Sequence, residues 1–201
     1  MSEIKFPAWD SDIEEIEKEI NRMNNRLTNR TKLLKKEVIS EQQYKDLIED
    51  IITTLRFWTG RTPIGERKSE VIQKRFQTFF EKLYEFLIVC KNSSLWEPQN
   101  LANDSLYQGT LYRYLGYGPN ITGEKVQIKP KFDNIYASWS KLPQNSYIES
   151  KLHGPKTWLE CKVEGNLYGI DLTVFGVSKA NEEEVVFPTI EKTILDIRYL
   201  K

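Results

Sequence analysis

The sequence predicts an α+β protein, with a helical region over residues 1–100 followed by a strand-rich region over 101–201, expected to pack as one globular unit. Two observations carry this. In the first half, apolar residues recur three and four positions apart, the spacing of one helix face. From Leu106 onward the texture changes to short β-branched and aromatic runs broken by Gly, Pro and Asn, which is the texture of strands and turns. Helices first and strands afterwards do not suit a parallel doubly wound sheet. No Gly-x-Gly-x-x-Gly or Gly-x-x-x-x-Gly-Lys-Ser/Thr occurs to support a Rossmann or P-loop reading.

Asp10 to Asp12 can cap a first helix with apolar positions at Ile13, Ile16, Ile20, Met23 and Leu27, continued by Leu34 and Val38. This stripe reads as an amphipathic helix docked on a globular body, and alternatively as a surface for a partner helix. Ser40 with Gln43 resembles a capping box for a second helix through Leu47, Ile51 and Leu55, closed by Gly60. Arg61 to Lys68 reads as a loop. Ser69 then begins a third helix whose broad apolar face, Val71 to Ile88, makes it the central one. Asn92-Ser93-Ser94 ends it, and Pro98 with Asn100 predicts an irregular stretch.

Strands are expected near Thr110–Leu115, Asn134–Ser140, Trp158–Val163, Tyr168–Val174, Glu184–Phe187 and Thr193–Tyr199, with a short helix over Ser146–Leu152. The segment Glu182-Glu183-Glu184-Val185-Val186-Phe187 is unusual. Alternation puts Glu182 and Glu184 on one face at the start of a strand that must be buried, so their charge calls for a compensating role.

Composition narrows the function classes. Lys plus Arg and Asp plus Glu balance at 29 each, so no global charge calls for nucleic acid or an anionic membrane. The cluster Arg61, Arg67, Lys68, Lys74 and Arg75 is interleaved with Glu66 and Glu70 and reads as a solvated face. Cys90 and Cys161 fit no metal spacing and read as reduced thiols, and the single histidine, His153, leaves zinc almost no ligands. No secretory signal or membrane-spanning run is evident. A cytoplasmic protein is therefore expected, or one delivered into a target cell without a cleavable signal.

Three separated pieces stand in order: Leu111-Tyr112-Arg113 in a strand, Tyr136-Ala137-Ser138-Trp139-Ser140 in a second, and Glu182-Glu183-Glu184 leading into a third. Together they resemble the Arg-Ser-Glu class of ADP-ribosyltransferases, which includes clostridial binary-toxin and C3-like enzymes, phage transferases and arginine-specific ecto-enzymes. The resemblance covers residues 106–201 and implies a two-sheet β-sandwich catalytic core. Trp158 to Val163 followed by Tyr168 to Leu172 looks like the paired strands ahead of that family's catalytic loop. The chain departs from the pattern at Tyr114, where the family often has Gly, and at Trp139, the centre of its usual Ser-Thr-Ser. The first implies an altered phosphate pocket and the second a narrower nicotinamide side.

The resemblance implies NAD as substrate, no metal, and an oxocarbenium-like ribosyl transition state. It assigns Glu184 to the developing cation and a ribose hydroxyl, Ser138 to holding the Glu184 carboxylate, Arg113 to a phosphate of NAD, and Glu182 to the acceptor. Glu at that last place implies a protein arginine as acceptor, met by the loop Val177 to Asn181. Tyr107, Tyr112, Tyr117 and Trp139 are aromatic candidates for stacking on NAD, with Tyr112 counted in its site, although such residues also serve as core. The expected activity is that of a toxin or effector transferase. A glycohydrolase that spends NAD on water and a catalytically inactive interaction module are the alternatives.

Overall fold

A computed structural model describes residues 13–59, 66–115, 135–143, 156–177 and 183–200. The Asp10–Asp12 cap, Gly60, Arg61, the Ser146–Leu152 helix, His153, Tyr117 and Glu182 lie outside them. The chain divides into two compact units, Met1–Ala102 and Asn103–Lys201.

In the helical unit, α1 (Ile13–Lys35) buries Ile20, Met23, Leu27, Thr31 and Leu34, the face that the three- and four-residue spacing predicts. It packs closely on both α2 (Glu41–Thr59) and α3 (Glu66–Lys91). Its stripe is therefore covered within the unit at these positions and is not a free docking face. The α2 start has the expected reciprocal cap: Gln43 N donates to Ser40 Oγ at 3.2 Å and Ser40 N to Gln43 Oε1 at 3.1 Å. Two amides without helical acceptors are satisfied this way.

The third helix begins three residues before the expected Ser69 and buries Phe76, Phe79, Phe80, Leu83, Phe86, Leu87 and Cys90. Each buried Phe or Leu side chain contributes about 1.5–3 kcal/mol. Trp58 of α2 meets the edges of Phe76 and Phe80 across this core. The α1 helix stops at Lys35, so Val38 does not extend the stripe and is 62% exposed. Glu37 takes a left-handed φ of 54° there and accepts hydrogen bonds from Ser94 N (2.9 Å) and Ser94 Oγ (2.7 Å). Around Pro98 the expected irregular stretch is instead a helix, α4 (Trp96–Ser105). Proline falls in its first turn, where a missing N–H breaks no helical hydrogen bond.

The second unit contains β1 (Leu106–Tyr107), β2 (Gly109–Leu115), β3 (Tyr136–Ser140), β4 (Lys156–Val163), β5 (Gly169–Asp171), β6 (Glu184–Pro188) and β7 (Ile194–Leu200). They form one curled antiparallel sheet in the order β1-β5-β6-β3-β2-β4-β7. Leu111, Trp139, Leu159, Cys161, Val163, Val185 and Phe187 make its core on one face. The expected strand Tyr168–Val174 is shorter than its composition suggests. Asp171 accepts from Thr173 N (3.0 Å) and Thr173 Oγ1 (2.6 Å), turning the chain into a 3-10 helix, Leu172–Phe175. A local side-chain acceptor of this kind competes with the sheet ladder.

Candidate functional site

The three strands that carry the sequence motifs are neighbours: β6, β3 and β2 lie side by side in the middle of the sheet. Register decides which of their side chains meet. Ser140 stands opposite Glu184 on β6 and opposite Tyr112 on β2, and Tyr112 stands opposite Glu160 on β4. Directly paired residues share a face, so Tyr112, Ser140, Glu184 and Glu160 form one row, with Ser138 two residues further along β3.

Ser138 Oγ donates to Glu184 Oε1 in a short hydrogen bond along this diagonal. Glu184 is only 7% exposed, whereas Ser138 is open to solvent. A carboxylate placed so deep at a strand end requires such partners, because an unpaired buried charge costs far more than the hydroxyl contact contributes. Ser140, itself buried, accepts from Leu142 N at 3.0 Å and so shapes the end of β3. Tyr112 packs its ring 5.5 Å from Trp158, and Tyr114 stacks on Trp158 at 6.3 Å. Tyr114 Oη donates to Pro143 O at 2.8 Å. Tyr112, Tyr114 and Trp158 thus form an aromatic cluster on the sheet face that also carries Ser138 and Glu184.

Arg113 does not join this group. Its pairing with Leu159 puts it on the core face, where Nη1 donates to Thr189 Oγ1 at 3.1 Å and the guanidinium carbon lies 5.9 Å from the Trp139 ring centre. Arg113 and Tyr112 are adjacent, and alternation sends them to opposite sides of the sheet. The motif pattern predicts that Arg113 and Glu184 share a site, but a pattern of residue types carries no register.

Trp139 is likewise core: it is 2% exposed and its Nε1 donates to Phe187 O at 3.0 Å. It does not line the face of Ser138 and Glu184. Tyr107 packs against the same core, with its hydroxyl on Thr110 O at 3.1 Å. Burial, and then the nearby Asp171 carboxylate, push its phenol pKa upward. Glu182, the expected acceptor residue, and most of the Val177–Asn181 loop lie outside the described residues.

Lys141, which sequence reasoning passed over, follows β3 and meets Asp171 and Glu183 where β6 begins. Lys141 Nζ donates to Asp171 Oδ2 at 3.0 Å and lies 3.9 Å from Glu183 Oε2. Glu183 holds a left-handed φ of 41° immediately before Glu184. The one available signal was the position of Lys141, directly after Ser138-x-Ser140. Among the described residues no group of three or more potential ligands could hold a metal ion, and no helix is long and apolar enough to cross a membrane. Cys90 and Cys161 are free and buried, and burial pushes the Cys161 thiol up to about 12.

Comparison with protein-family models, with curated proteins and with solved structures returned no match for this chain.

Proposed function

We propose that the protein is a mono-ADP-ribosyltransferase that uses NAD to modify a protein arginine, with Glu184 as its catalytic carboxylate. The observation that carries this reading is the Ser138–Glu184 hydrogen bond, formed between β3 and β6, with the strand of the third motif, β2, on the other side of β3. It is the contact that the chemistry needs. The two-sheet sandwich implied by the resemblance belongs to the same proposal.

In the reaction, the bond between ribose C1′ and the nicotinamide nitrogen breaks, and its electron pair leaves with nicotinamide. The ribosyl group then carries oxocarbenium-like positive charge. Glu184 holds negative charge beside it and accepts a hydrogen bond from a ribose hydroxyl, and Ser138 fixes the carboxylate in place. A guanidinium nitrogen of the acceptor forms the new bond to C1′ and releases its proton. Glu182, by the resemblance, aligns that nitrogen. Tyr112 lies on the Glu184 face and is assigned to the bound dinucleotide. Arg113 is reassigned: from the opposite face it ties β2 to Thr189, the residue after β6, and so supports the strand that bears Glu184.

The test is a labelled-NAD assay with arginine-containing protein as acceptor, reading nicotinamide release and protein labelling together. Glu184→Gln is expected to lower both by about 10²-fold or more. Glu182→Ala is expected to lose labelling and keep release. Release without labelling by the wild type would identify a glycohydrolase. Neither product, together with no NAD binding by calorimetry, would leave an interaction module.

A further inference from the structure

We propose that Lys141 is a positioning residue for Glu184, acting through the backbone turn at Glu183; this rests on the reading of Glu184 as the catalytic carboxylate. The β3–β6 ladder ends at the Ser140–Glu184 pair, and Lys141 is the first residue after β3. Its backbone N–H donates to Glu183 O at 3.2 Å, which extends the pairing by one bond to the residue in the left-handed conformation. A glutamate adopts that conformation only where its surroundings impose it, because its Cβ crowds the backbone.

Lys141 supplies that imposition from two directions. Alternation turns its side chain away from the Ser138 face, and Nζ reaches across to Asp171 Oδ2 on β5, the strand on the far side of β6. Asp171 stands opposite Val185, the residue after Glu184. Its other oxygen is held by Thr173 N and Oγ1, so the anchor is itself fixed. The ion pair is largely buried, with side-chain exposures of 22% for Lys141 and 9% for Asp171. Nζ also lies 6.0 Å from the Tyr107 ring centre on β1. Lys141 therefore straps β3 to β5 across the entry of β6, and the strap passes Glu183 Oε2. Loss of the strap frees the turn, and Glu184 shifts relative to Ser138 without any contact to NAD being removed.

The test compares four variants in the NAD-cleavage assay. Lys141→Met is expected to lower kcat by about tenfold with KM for NAD unchanged, the signature of misplaced catalytic geometry. Lys141→Arg keeps the charge and reach and restores kcat. Glycine adopts positive φ without a Cβ penalty. Glu183→Gly alone is therefore expected to stay active, and Lys141→Met/Glu183→Gly to recover most of the loss, which simple removal of a stabilising ion pair does not predict. If Lys141→Met fails to fold, Asp171→Asn, which retains an acceptor for Thr173, is expected to show a smaller fall of kcat in the same direction.

Wild-type kcat in Lys141→Met, or in Asp171→Asn where it alone folds, overturns the proposal, as does a loss that Glu183→Gly leaves untouched. If those results come with an inactive Glu184→Gln, only the role of Lys141 falls. If the wild type cleaves no NAD, the reading of Glu184 fails and Lys141 has no reaction to serve.

Discussion

Ser138 and Glu184 meet on a diagonal: Ser138 pairs with Val186 and Glu184 with Ser140, yet the Ser138 hydroxyl bonds the Glu184 carboxylate. The glutamate side chain therefore lies along its own strand instead of projecting from the end of the sheet. Its carboxylate is drawn towards the interior of the sheet, which accounts for its low exposure.

Under the proposed function, Ser138→Ala should lower kcat for nicotinamide release by about tenfold or more and leave KM for NAD nearly unchanged, since a charge-assisted hydrogen bond contributes roughly 1.5–3 kcal/mol. Steady-state kinetics on the purified variant check this. A Ser138→Ala enzyme with wild-type kcat would show that other groups hold the carboxylate.

Arg113 separates two roles that a sequence motif merges. From the core face it bonds Thr189, so Arg113→Met should lower stability by about 1–2 kcal/mol, seen as a reduced urea midpoint. Under the proposed function, KM for NAD should remain at the wild-type value. A raised KM with unchanged stability would return Arg113 to phosphate binding and contradict its placement beside Trp139.

Gly169 leaves space that Val185 uses. A Cβ there would collide with Val185 Cγ1, and a valine in a strand has little rotamer freedom with which to move away. Gly169→Ala should cost about 1–3 kcal/mol by overpacking. Val185→Ala should relieve part of that cost in the double variant, giving a favourable coupling in a thermal-denaturation cycle. Additive losses would mean that the two residues do not compete for the same space.

The helical half was legible because its signals are local. Ser40 and Gln43 are three residues apart and find each other within a single turn, and Ile20, Met23 and Leu27 share a face in any α-helix. The misses have local causes too. Pro98 carries the signature of a helix breaker, yet it occupies the first turn, and Tyr168–Val174 has the composition of one strand, yet Asp171 caps a turn in the middle of it. Neither composition nor alternation reports such positional effects.

For the candidate site, the amino-acid sequence alone determined the strand character of the three motif segments, and with it the faces within each: Ser138 with Ser140, and Tyr112 opposed to Arg113. Alternation is a property of one strand and can be read without partners. Only the tertiary structure decided which faces coincide, because relative register is set by pairings between residues far apart in the chain, and a shift of one residue exchanges the faces. Those pairings joined Ser138 to Glu184, turned Arg113 to the core, and brought Lys141, Asp171 and Glu183 together at the start of β6.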